Sequence, residues 1–204
     1  MNEEQKGVGP HEEPWPTGPQ YDPELLMHGD HRNVEDKYRY MTVEAIKADL
    51  AATRHDFHVA IENWQHDLNI GTIVRSANAF NAGAVHIIGR RHWNRRGAMV
   101  TDRYLDIIQH PTVEDFVRSI GDRKIIAVDN LPGAAPLSRA ELPKNCVLVF
   151  GGEGPGLSEE LRQAASQMVM IEQFGSTRSV NVGVAAGIVM YDWLRRHVLD
   201  TGKN

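Results

Sequence analysis

Cysteine is almost missing from this chain of 204 residues. The only one, Cys146, excludes an intrachain disulfide and a cysteine-rich metal site. It lies in the apolar run CVLVF and reads as a buried, unreactive thiol, which fits a reducing cytoplasm. Long apolar runs are missing too. None approaches the roughly 20 residues that cross a bilayer, so no membrane partner is expected. The opening MNEEQKGVGPHEEPWPTGPQ has no apolar core of the signal-peptide kind. Metal-ligand spacing is absent from His11, His28, His31 and His55, so no metal is assigned. Excess positive charge is also wanting, at a net −5. Most of that deficit lies in front, where Glu3, Glu4, Glu12, Glu13 and Asp22 face Lys6 alone. The body is close to neutral and can bind RNA if its positive charge is clustered.

A hydrophobic fraction of 41% over this length predicts one domain with a real core. Residues 1–30, rich in Pro, Gly, Glu and His, read as a mobile acidic tail. Residues 31–56 form a short helical extension, with Thr42 placed to cap a helix through about Arg54. From 57 to 204 the pattern is regular. Short β-branched runs at 57–61, 84–89, 124–129, 146–151 and 168–171 predict buried parallel strands, with a weaker strand near 105–108. Helical spacing between and after them, at 70–81, 112–120, 158–166 and 181–199, predicts an α/β domain with helices on both faces of a mainly parallel sheet.

In such sheets ligands bind beyond the C-terminal strand ends. Three loops there are unusual. In DLNIGTIVRSANAFNAGAV, Ile70, Ile73, Val74, Ala77 and Phe80 make a buried stripe, Asn69 takes the N-cap place, and Arg75 falls off the stripe. Arg75 is either a solvated arginine or one aimed at a phosphate or oxyanion. In LVFGGEGPGLSEEL, four glycines exceed what a plain strand-to-helix turn needs. Glu153 in their midst argues against phosphate, so a ligand approached by backbone fits better. In GSTRSVNVGVAAG, Ser176 to Asn181 supply donors and acceptors, and Ser179 or Asn181 can cap the following helix. Its small residues suit close helix packing, which is the plain reading of that helix.

Asn69 with Arg75, the G-x-E-G-x-G at 151–156 and the S-x-N at 179–181 leading into VGVAAGIVMYDW resemble the three motifs of the TrmH (SpoU) branch of the SPOUT RNA methyltransferases. The resemblance runs from about 57 to 199, with departures at Asn81, Val180 and Glu172. It implies a C-terminal deep trefoil knot, S-adenosylmethionine as cofactor, a homodimer, and methylation of a ribose 2′-hydroxyl of tRNA or rRNA. By the same comparison Asp129, Asn130, Leu131, Gly151, Gly152, Gly154, Gly156, Ile171 and Val180 hold the cofactor. Arg75, Asn69, Glu153, Ser179 and Asn181 form the catalytic set, in which Arg75 binds phosphate and stabilises an alkoxide. A guanidinium rarely gives up its proton, so Arg75 is not read as the base.

The loop GRRHWNRRG packs Arg90, Arg91, Arg95 and Arg96 around Trp93. Arginines engage phosphates and an indole stacks on an unpaired base, so RNA contact is expected over a merely solvated loop. Two other readings stay open: a non-catalytic RNA-binding or ribosome-assembly protein, and a knotted methyltransferase acting on a base nitrogen.

Overall fold

The computed structural model describes residues 7–63, 69–152 and 156–202. Seven strands form one sheet: β1 (His58–Glu62), β2 (Val85–Ile88), β3 (Ile107–His110), β4 (Lys124–Val128), β5 (Ala135–Pro136), β6 (Cys146–Phe150) and β7 (Gln167–Met170). Their order is β3-β2-β1-β6-β4-β7-β5, and every pair is parallel. The expected weak strand is β3, two residues later than its apolar signal. The two-residue edge strand β5 was not expected.

Side-chain alternation divides the core in two. Val59, Ile61, Ile126, Leu148 and Phe150 point to one face, which α3 (Asn69–Ala79) and α6 (Val182–Leu194) cover. Ala60, Ile125, Ala127, Val147 and Val149 point to the other, beneath α4 (Val113–Ser119) and α5 (Glu159–Ala164). Ile70, Ile73, Val74 and Ala77 form the buried stripe of α3. Thr112 and Ser158 cap α4 and α5 through their hydroxyls, at 3.1 and 3.2 Å. Beyond α6 the backbone continues as a π-helix over Arg195–Leu199. Cys146 is fully buried, and burial pushes its thiol up to about 12.

Asn81 has φ 48. Asparagine tolerates that left-handed conformation better than most residues. Its amide also reaches the Thr53 hydroxyl at 3.1 Å.

Residues 7–30 depart from the expected tail. They carry α1 (Pro23–His28), capped by Asp22, and the antiparallel bridges Val8↔Asp30 and Tyr21↔Met41. A carboxylate rather than an apolar cluster organises this segment, so hydropathy did not reveal it. Asp30 is fully buried and accepts from Arg32 Nε and Nη2, at 2.9 and 2.7 Å, and from Tyr40 N at 3.0 Å. Burial opposes its charge, but the bonds from Arg32 and Tyr40 prevail and hold the acid at about 2. Thr42 caps α2 (Val43–Ala51) by accepting from Ala45 N at 3.2 Å, as the sequence predicts.

Candidate active site

Parallel strands bring all their C-terminal ends to one edge of the sheet. There the ends of β4, β6 and β7 and the segment leading into α6 surround a cavity of about 530 Å³, within the size range of cofactor sites. Its apolar walls include Val128, Phe150, Ile171, Val180, Val182 and Ala185. Asp129, Asn130, Gln173, Arg178, Ser179 and Asn181 add polar groups. Two glycines shape it. A Cβ on Gly151 would lie 2.2 Å from the Gly156 carbonyl carbon, so any larger residue displaces backbone. Gly156 has φ +70, in the left-handed region. Together they close a bridge between Gly152 and Gly156.

Hydrogen bonds join segments far apart in sequence. Asn130 Nδ2 donates to Arg178 O at 2.6 Å, tying the β4 loop to the loop before α6. Asn181 caps α6, accepting at Oδ1 from Gly183 N at 2.9 Å and Val184 N at 3.3 Å. Its Nδ2 donates to Asn69 Oδ1 at 2.9 Å. At Gly183 an added Cβ would meet Thr72 Cγ2 at 3.1 Å, so the small residue admits close packing on α3. Below the glycine loop, fully buried Glu62 accepts from Ser158 N at 2.8 Å, fixing the start of α5 to the end of β1.

Of the residues expected to hold a ligand, Asp129, Asn130, Leu131, Gly151, Gly152, Gly156, Ile171 and Val180 all line the cavity, with Ser179 and Asn181. Glu153 and Gly154 lie outside the described residues. Asn69 belongs to α3, directly after residues outside the described ones, and it reaches the cavity's edge through Asn181. Arg75 is exposed on α3 and is not among the described residues lining the cavity. Arg90, Arg91 and Arg96 are exposed. Arg95 is engaged, 2.7 Å from the buried Asp102 carboxylate and over the Trp93 ring at 5.8 Å. Trp93 itself is half-buried against the core. The Arg95 side chain remains largely exposed while it pairs with Asp102, and Trp93 packs one face of the loop on the core. Sequence reasoning missed Gln173 and Glu62 and left Arg178 out of the site. A charged residue ending the apolar run FHVAIE was the available signal for Glu62. Among the described residues no group of three or more His, Cys, Asp or Glu is placed to hold a metal ion, and no helix is long and apolar enough to cross a membrane.

The three loops all fall within residues 56–191, which match the model of the SpoU rRNA Methylase family. The chain belongs to this family. Its relatives include an uncharacterized tRNA/rRNA methyltransferase of Mycobacterium ulcerans, 29% identical over 176 residues and covering 78% of this chain and 53% of that protein. The 23S rRNA (guanosine-2′-O-)-methyltransferase RlmB of Neisseria meningitidis is 29% identical over 142 residues, covering 66% of this chain and 56% of that protein. The chain thus spans about half the length of these curated relatives. Among solved structures, the AdoMet-bound rRNA methyltransferase of Sinorhizobium meliloti matches at a TM-score of 0.64 and 27% identity, over 76% of this chain and 61% of that one.

Proposed function

We propose that this chain is an S-adenosylmethionine-dependent methyltransferase acting on a ribose 2′-hydroxyl of tRNA or rRNA. One observation carries the reading: loops from distant parts of the chain converge on a single cavity at the sheet's C-terminal edge. The AdoMet named in the Sinorhizobium structure and the 2′-O product named for RlmB support it. The residues present fit the cofactor. A flat, weakly polar base suits the walls of Val128, Phe150, Ile171 and Val180, while backbone at Gly151 and Gly156 approaches as no larger residue allows. Asp129 and Arg178 offer charges of opposite sign to an amino-acid end. When bound, S-adenosylmethionine supplies an activated sulfonium methyl.

The chain's own work is orientation and charge stabilisation. Ser179 and Asn181 border the cavity, Asn69 fixes Asn181, and Glu153 completes the proposed catalytic set. Arg75 binds the phosphate beside the target ribose and stabilises its alkoxide, leaving the proton to phosphate or water.

Thr72 of α3 packs against Gly183 of α6, and Arg75 follows Thr72 by three residues, one turn along the same side of the helix. Helix α6 exposes an apolar stripe, Val184, Ile188 and Tyr191, at spacings of four and three residues. A homodimer through this stripe is the arrangement that covers it, and Arg75 then serves the cavity of the partner subunit. The return of the chain from β7 to α6, packed beside α3 and over β6, supports a knotted C-terminal segment. Arg90, Arg91 and Arg96 take the RNA backbone. Such an enzyme works in the cytoplasm, where tRNA and rRNA are found.

The test is transfer of label from S-adenosylmethionine to cellular RNA, followed by digestion to nucleosides. The methyl is expected on ribose and to disappear with Arg75→Ala. A methylated base, or cofactor-independent RNA binding with no product, would refute the reading.

A further inference from the structure

We infer that residues 34–54, which precede the family-matched segment, brace the arginine loop for RNA, with Arg54 as the positioning residue. The inference rests on the reading of that loop as the RNA-contacting surface.

The apolar residues of this extension stay apart from the two main cores. Tyr38 and Ile46 bury Tyr104 among them, with Val34, Met41, Val43 and Leu50 packed around. Tyr104 closes the 3-10 helix Thr101–Tyr104, which follows the arginine loop after Ala98, Met99 and Val100. Arg54 clasps the same point: Nη2 donates to Tyr104 O at 2.8 Å and Nη1 to Ala82 O at 3.0 Å. One guanidinium thus links the far end of the loop to the turn that enters β2. Two residues beyond Tyr104, Lys47 Nζ meets the Asp106 carboxylate at 3.1 Å.

The other end of the loop is also anchored. Asn63 Nδ2 donates to Arg91 O at 2.8 Å. Gly71 of α3 lies against the loop backbone, where an added Cβ would stand 2.7 Å from Gly97 Cα. Between the anchors, Met99 and Val100 have φ 49 and 68. A β-branched residue keeps such a conformation only where its surroundings enforce it. Here buried Ala98 stands on one side and buried Thr101, Asp102 and Tyr104 on the other, with the Thr101 hydroxyl donating to Ala98 O at 2.6 Å. Docking Tyr104 into the extension completes that hold. The consequence is a fixed display of Arg90, Arg91 and Arg96. Side chains that are ordered in advance lose less entropy when they engage backbone phosphates.

The experiment uses the full chain carrying Arg54→Ala, with Arg54→Lys as the conservative variant. Hydrogen exchange at 98–104 is expected to accelerate about tenfold or more while β1 and β6 amides keep their protection. The RNA Kd and the KM for RNA should rise about tenfold, with kcat at saturating RNA retained and the S-adenosylmethionine Kd within about twofold of wild type. Arg54→Lys, able to meet one carbonyl, should fall between. Unchanged exchange at 98–104, or loosened exchange with unchanged RNA affinity, overturns the brace. The underlying reading is tested separately by Arg90→Ala, Arg91→Ala and Arg96→Ala together, and wild-type RNA affinity in that variant removes it. If Arg54→Ala does not fold, Lys47→Ala at the same joint carries the test with the same expected directions.

Discussion

The Asn181 side-chain amide donates to the Asn69 oxygen across 2.9 Å, joining residues 112 positions apart. With its own oxygen Asn181 accepts the first free amides of α6. One side chain therefore caps a helix, borders the cavity and holds Asn69 of α3. These duties separate by chemistry, since the cap needs an acceptor and the link to Asn69 needs a donor.

Asn181→Asp keeps the acceptor and loses the donor. Its thermal midpoint should stay within about 2 °C of wild type, because a carboxylate caps a helix as well as an amide does. Methylation should fall about tenfold or more through loss of positioning. Asn181→Ala should lose roughly 1 kcal/mol of stability besides. Equal rates for Asn181→Asp and wild type would show that the Asn69 link is idle.

Gly151→Ala drives a methyl group into the backbone of Gly156 and Leu157. Calorimetry should show S-adenosylmethionine affinity reduced about a hundredfold or more, equivalent to about 2.7 kcal/mol. Far-UV circular dichroism should still report the sheet. An unchanged Kd would place the cofactor elsewhere.

If Arg75 acts across a dimer, two inactive variants complement each other. Heterodimers purified from differently tagged Arg75→Ala and Gly151→Ala chains contain one intact cavity facing one intact Arg75. They should recover about half the wild-type rate per dimer, while each parent homodimer stays inactive. No recovery would place Arg75 in its own chain's site or out of catalysis.

Half-buried His58 and buried His86 and His110 form a chain across β1, β2 and β3, with ring nitrogens 2.9 and 2.8 Å apart. Each link needs one protonated and one bare nitrogen, which neutral rings provide. Burial, then the neighbouring His58 and His110, pushes His86 down to about 3. Burial, then Arg123, pushes His58 to about 4, and burial lowers His110 against the pull of Asp115. The unfolded chain takes up these protons near 6.5, so the folded state binds fewer below that pH. Stability should be full above about pH 6.5 and decline as pH falls toward 3 to 4, by up to about 1.4 kcal/mol per pH unit for each histidine. Asp30 acts lower, its contribution being lost as pH falls from 3.8 through about 2. Urea midpoints measured from pH 7.5 to 5 should drop for wild type and less for His86→Asn. A flat wild-type profile would contradict this.

Replacing Arg90, Arg91 and Arg96 with alanine should weaken RNA binding and leave cofactor affinity near wild type. The slope of log K against log salt should shrink by about two to three, as fewer counterions are released. Arg95→Ala should behave differently, loosening the loop through the loss of Asp102's partner. A slope unchanged in the triple variant would move the RNA surface away from this loop.

Strands and helices were legible because their signals are local. Alternation along CVLVF divides Leu148 from Val147 whatever the rest of the chain does. Thr42 caps α2 because its hydroxyl needs only the amide three residues on. The cavity's glycines were legible for the same reason, since crowded backbone leaves room for little else. The extension around Asp30 was not. Its stability comes from a carboxylate whose partners are polar, and no apolar period records them.

The sequence by itself determined the parallel α/β class, the place of the three loops beyond strand ends and the family to which they belong. Only the tertiary structure decided that Asn181 reaches Asn69, that Arg75 is not among the described residues lining the cavity, and that Asp102 engages Arg95. The division follows from the range of the forces. Helix and strand patterns depend on neighbours a few residues away, whereas a buried hydrogen bond or ion pair depends on how completely distant segments exclude water around it.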